Sequence, residues 1–106
     1  MFHSSYAVLW CEGEGPIRVG KLVLGPNGLL LETGAGRARA SSKMLRYADL
    51  TSVGIVAPSD RIRTRPTAAV GRSERDPVKI AAVDDLGSLR EIIDRIAAHL
   101  SPVAGA

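Results

Sequence analysis

The hydrophobic period of this chain changes once, and that change decides what it can fold into. Up to residue 83 the apolar residues alternate or come in short runs, each cut off by Gly, Pro or Asn. From Asp84 onward Leu86, Leu89, Ile93, Ile96 and Leu100 recur at steps of 3, 4, 3 and 4. A period of two belongs to strands, whereas steps of three and four put side chains on one face of a helix. The pattern therefore predicts an antiparallel β body followed by one amphipathic C-terminal helix. A length of 106 residues allows one core and not two.

Within the β body the turn residues mark the strands. Residues 6–12 are apolar and rich in strand formers, and Gly13, Glu14, Gly15 and Pro16 end them. Residues 17–24 alternate until Gly25-Pro26-Asn27-Gly28, where Asn27-Gly28 suits the positive φ angles of a tight hairpin turn, so residues 29–32 fold straight back. After a turn at residues 33–36, the alternation of Arg37, Ala38, Arg39 and Ala40 predicts a fourth strand running towards Arg46. Residues 47–50 make one tight turn, and residues 51–57 form a fifth strand that Pro58 stops. Residues 59–65, with three arginines at alternate positions and Pro66 behind them, read as a mobile loop. Residues 67–71 and 78–83 supply the last two strands, with a turn at 72–77. Seven strands are expected. Asp84, Asp85 or Ser88 can cap the helix and Ser101-Pro102 ends it. Residues 1–5 and 102–106 read as flexible ends around one domain spanning 6–101.

The helix should close one end of the β body, with Leu89, Ile93, Ile96 and Leu100 against Leu22, Leu24, Val53, Ile55 and Ile80, while Arg90, Glu91, Asp94 and Arg95 face water. Only four residues are aromatic, so aliphatic side chains must supply most of the burial. Trp10, in a strand, is expected in the core.

Charge is unevenly spread. Residues 33–75 hold nine basic groups against three acidic ones, while the remainder carries a net −3, for +3 in all. Arg61, Arg63, Arg65, Arg72 and Arg75 are the candidate contacts for an anionic partner, because clustered guanidiniums lower the cost of approaching phosphates or acidic groups. Nucleic acid is disfavoured, since single-strand binders stack bases on several aromatics.

No catalytic constellation stands out, and an enzyme is not expected. Cys11 alternates with Trp10 and Glu12 in an apolar strand and reads as a buried structural thiol, since nothing in the sequence constrains His3 or His99 to approach it. His99 reads as a polar-face residue favourable at a helix C-terminus. One cysteine and two scattered histidines carry no zinc spacing, so no metal and no cofactor are expected. Gly34-Ala35-Gly36 lacks the third glycine of a dinucleotide loop, that position being Arg39. A single cysteine and the absence of a secretory pattern or of a long apolar run make a cytoplasmic setting the expectation.

The order Gly20-Lys21-Leu22-Val23-Leu24, Gly28-Leu29-Leu30-Leu31, then Leu45-Arg46-Tyr47-Ala48-Asp49-Leu50 leading to Val53, and finally Val78-Lys79-Ile80 before the helix, resembles the pleckstrin homology (PH)-like superfold, in particular the small bacterial PH-like domain proteins. The resemblance implies a seven-stranded antiparallel, partly open barrel capped by a helix. It also implies a non-catalytic module that binds phosphoinositide headgroups, peptides or other proteins. Inositide-binding members carry Lys and Arg across the first hairpin. Here that turn holds Glu12 and Glu14, with Arg18 and Lys21 beyond them, and two carboxylates repel phosphate at short range. The expectation is therefore protein–protein interaction or self-association, with peripheral binding of anionic lipid through residues 61–65 at the inner face of the membrane as the alternative. PilZ domains, which bind cyclic dinucleotides, pair an arginine-rich lead-in with a downstream Asp or Asn, Ser and Gly element. Arg61-Ile62-Arg63-Thr64-Arg65 offers only the first part.

Overall fold

The computed structural model describes residues 4–33, 42–83 and 86–100. Its chain order is β1 (Ser4–Glu12), β2 (Arg18–Leu24), β3 (Gly28–Thr33), β4 (Ser42–Arg46), a 3-10 turn (Tyr47–Asp49), β5 (Leu50–Ile55), a second 3-10 turn (Pro58–Asp60), β6 (Thr67–Arg72), β7 (Arg75–Ala82) and α1 (Leu86–Leu100). The expected composition, seven antiparallel strands with one C-terminal helix, is the one found. The strands form a single sheet in the order β4-β3-β2-β1-β7-β6-β5, with β1 at its centre and β4 and β5 at its two edges. Such a sheet is a partly open barrel, and each of its two edge strands is paired on one side only among the described residues.

β1 begins earlier than its apolar run, at Ser4, because β2 is long enough to pair with it there: Ser4 lies opposite Leu24 and Ser5 opposite Val23. The other flank of β1, from Val8 to Glu12, pairs with β7. Alternation then sends Val8 and Trp10 inward to Leu22, Leu24, Leu29, Leu31, Leu45, Val70, Val78 and Ile80, all buried. Leu9 and Cys11 point to the opposite face and are buried with Ile62 and Ala81. The body is thus buried on both faces of its central strand, which explains why residues 6–12 read as a continuous apolar run rather than an alternating one.

The β2–β3 hairpin forms where the turn residues put it, but not with the expected backbone. Neither Asn27 nor Gly28 has a positive φ; the Gly25 amide donates to the Gly28 carbonyl (2.9 Å) across a wider turn. Gly28 is needed for space instead, since a Cβ there would sit 2.3 Å from the Leu45 carbonyl oxygen on β4. The fourth strand is described only from Ser42; its expected beginning at residues 37–41, the turn at 34–36, the capping pair Asp84 and Asp85, and both chain ends fall outside the described residues.

α1 spans the predicted residues, and its innermost side chains are Leu89, Ile92 and Ile96. Ile93 and Leu100 are only partly buried, and Ile55 is 52% exposed rather than packed under the helix. Both departures have one cause each. Ile92 and Ile93 flank the same stripe, so the shape of the sheet decides which turns inward. β5 is an edge strand with one partly buried residue, Val53, beyond its buried first residue, Leu50. Arg90, Glu91, Asp94 and Arg95 are exposed, as the pattern required. No described helix is long and apolar enough to cross a membrane.

Candidate partner-binding site

The five candidate arginines fall into two groups on different connections. Arg61, Arg63 and Arg65 lie between β5 and β6, and Arg72 and Arg75 flank the β6–β7 turn.

The first group sits on a segment that is pinned rather than loose. Ile62 is 3% exposed, tucked against Leu9, Cys11 and Ala81, and its amide donates to Thr67 Oγ1 (2.9 Å), which donates to the Arg65 carbonyl (2.8 Å). Ile62 and Arg65 make a β-bridge around Arg63 and Thr64, whose φ angles of 50° and 61° give the backbone twist of a two-residue hairpin turn. The arginines alternate with Ile62, so burying it turns Arg61 and Arg63 to water. Arg65 is partly tied down, its guanidinium donating to the Val83 carbonyl (3.2 Å). Arg61 and Arg63 share a shallow depression of about 280 Å³ with Lys79, Glu14 and Asp60. Two carboxylates there offset most of the positive charge.

The second group belongs to a charged cluster at the end of β1. Arg72 is not a free surface cation: its side chain is 6% exposed, its guanidinium meets Glu12 Oε2 at 3.1 Å, and its Nε donates to the Asp76 carbonyl (2.8 Å). Lys43 Nζ, from β4, reaches the same Glu12 oxygen at 3.1 Å. One carboxylate on the central strand therefore bridges cations from β4 and β6 across the opening of the barrel. Burial by itself would raise the Glu12 carboxyl, but hydrogen bonds and charge from Lys43 and Arg72 together outweigh it and hold Glu12 below its ordinary value. Glu12 is thus neutralised rather than a bare charge at the first hairpin.

Beside this cluster runs a groove of about 410 Å³ between β4 and the β6–β7 turn. Its walls carry four cations, Lys43, Arg46, Arg72 and Arg75, and one carboxylate, Asp49. Lys43 and Arg46 were visible in the sequence as members of the basic stretch. What hid their role was distance along the chain, 26 or more residues from Arg72, which the sheet closes by bringing β4 opposite the β6–β7 turn.

The remaining reactive groups are occupied elsewhere. Cys11 is buried, and burial pushes its thiol up against the weaker opposing pull of Lys79, which disfavours the thiolate. His99 stacks on Tyr47, ring centroids 3.8 Å apart and planes within 4°, while the Tyr47 hydroxyl donates to the Gly25 carbonyl (2.9 Å). Trp10 is buried as expected, with the Arg18 guanidinium 5.6 Å from its ring centroid and no hydrogen-bond partner for Nε1 among the described residues. No group of three or more His, Cys, Asp or Glu suited to a metal ion occurs among the described residues.

No protein-family model matches the chain, and no curated protein is significantly similar to it. Among solved structures the chain is similar to the C-terminal domain of an unknown protein from Leishmania infantum, with a TM-score of 0.65 at 14% identity, covering 88% of this chain and 81% of that one. That likeness is one of fold.

Proposed function

We propose that the chain is a non-catalytic PH-like binding module, in a bacterial cytoplasm, whose partner is a protein or a second copy of itself docked on a free edge of the sheet. The observation that carries this reading is the unclosed sheet: among the described residues β4 and β5 both end it with one side unpaired, and each carries an exposed large apolar residue, Met44 at 57% and Ile55 at 52%. Edges of this kind accept a further strand at little entropic cost, because one side of the ladder is already ordered. The test combines mass by light scattering over a wide concentration range with selection of peptides from a random library. Self-association, or enrichment of peptides that Met44→Lys with Ile55→Lys abolishes, supports the reading. A strict monomer that enriches nothing overturns it.

A second reading, peripheral binding of anionic lipid at the inner face of the membrane, is favoured by the pinning of Ile62, which holds Arg61 and Arg63 outward on an ordered turn. Sedimentation with phosphatidylserine vesicles at low salt decides it: binding lost on Arg61→Ala with Arg63→Ala supports it, and no binding sinks it.

A further inference from the structure

We infer that the groove along β4 takes an extended acidic peptide segment, added as an eighth strand to the free edge of β4, with its carboxylates turned to the cations of the groove. This inference rests on the protein-binding reading above and names its partner.

Four consecutive residues of β4, Lys43, Met44, Leu45 and Arg46, line the groove. Successive side chains of a strand point to opposite faces, so a cavity touching all four runs along the edge of the strand rather than against one face. Among the described residues β4 pairs only with β3, and half of the amides and carbonyls of an antiparallel strand lie on its far side, the side along which the groove runs. The opposite wall is the β6–β7 turn, held to the 3-10 turn by the Ser73 amide donating to the Asp49 carbonyl (3.3 Å). The gap is already framed on both sides.

Charge then selects the occupant. Lys43 and Arg72 share Glu12, but Arg46 and Arg75 are exposed and make no ion pair among the described residues. A second copy pairing antiparallel along the whole of β4 would set Met44 on Met44, Lys43 beside Leu45 and Arg46 beside Ser42, gathering four cations and no carboxylate in one ribbon and leaving each Arg46 without an opposite charge. An acidic strand reverses that sign. Register refines the chemistry: Lys43 and Leu45 lie on the inner face with Leu31 and Leu29 opposite them. Met44 continues an outer apolar row of Val23 and Leu30. Arg46 shares the outer face with Met44, so a segment alternating acidic and apolar residues presents its carboxylates beside Arg46 on the outer face, in the groove that Arg75 also lines, and its apolar side chains beside Leu45 on the inner face. Such an arrangement differs from a phosphate pocket, where donors converge on one point; here the cations are spread along a strand.

The test uses the full chain and a capped peptide of alternating Glu and Val, with three controls: the same peptide with Lys for Glu, the Glu-Val peptide with alternate amides N-methylated, and inorganic phosphate. Titration followed by amide chemical shifts should show saturable binding of the Glu-Val peptide with shifts on β4 and the β6–β7 turn. The Lys peptide should not bind. Arg46→Glu and Arg75→Glu, both at exposed positions and checked by melting, should each weaken binding at least tenfold, while Arg61→Glu should change it less than twofold. N-methylation should weaken binding at least tenfold, because it removes the ladder hydrogen bonds and leaves the charge. Equal binding of the N-methylated peptide overturns strand addition, and phosphate or vesicle binding sensitive to Arg46→Glu without peptide binding overturns the peptide in favour of an anion site. Self-association or peptide binding that responds to Ile55→Lys and not to Arg46→Glu overturns this groove while leaving the broader protein-binding reading standing.

Discussion

The two ends of β1 are covered by opposite chemistries. Near its start, Tyr6 donates to Glu91 of α1 (3.0 Å), and the helix drives Leu89, Ile92 and Ile96 into the body. At its finish, about 20 Å further along an extended strand, Glu12 joins Lys43 and Arg72 across the opening. The apolar end gains from every methylene removed from water and has no directional demand. The charged end gains little net stability, since ordering and desolvating ions offsets much of their attraction, but it fixes the spacing of β4 and β6 and leaves a polar groove open beside it. Stability is concentrated at one end, and chemistry able to greet a charged partner at the other.

The largest expected effect tests the apolar end. Ile96→Ala or Ile92→Ala should each cost about 2–5 kcal/mol and lower the melting temperature by about 10 °C or more, because both side chains are fully buried and the sheet beneath them cannot collapse into the void. Ile93→Ala should cost less, its side chain being half-buried. Equal losses for all three would mean that the helix does not hold the rotation described.

Glu12→Gln tests the charged end and should cost up to about 1 kcal/mol in urea unfolding, since Arg72 loses a carboxylate that solvent already screens on its exposed side. A loss as large as that of Ile96→Ala would break the contrast between the two ends. Acidification approaches the same point more gently. The folded Glu12 carboxyl holds its proton less tightly than the unfolded one, so its contribution is full above the ordinary glutamate value of about 4.3 and fades as the pH falls through the lowered folded value. Glu12 is more than a third exposed, so solvent screening keeps the effect below about 1 kcal/mol. Urea midpoints from pH 7 down to pH 3 should fall less steeply for Glu12→Gln than for the parent. The smallest effect is Arg90→Ala, on the solvent face of α1, which should move the melting temperature by no more than the scatter of repeated scans.

Much of this was legible in the primary structure, and the parts that were not share a cause. The helix over residues 86–100 could be read because a helix writes its own period locally. Gly and Pro marked the hairpins for the same reason, being preferences of one or two residues. The inward choice of Ile92 over Ile93 could not be read, since both satisfy the helical stripe and only the sheet below distinguishes them. Residues 59–65 looked like a loose basic loop; the signal missed was Ile62, one apolar residue among arginines, whose burial depends on an outer face formed by β1 and β7.

By itself, then, the order of residues determined seven short strands, one terminal helix, a buried Cys11 and Trp10, and a basic middle. Each follows from local backbone preference or from the tendency of an apolar side chain to leave water, and neither needs to know its neighbours. Tertiary structure alone decided which charges meet. Lys43 and Arg72 converge on Glu12 from positions 31 and 60 residues away, and Arg46 comes to line the same groove as Arg75. Electrostatic partners are set by distance in space, which falls steeply in water and carries no periodic trace along the chain. A cluster assembled from three strands exists only once the sheet has curled.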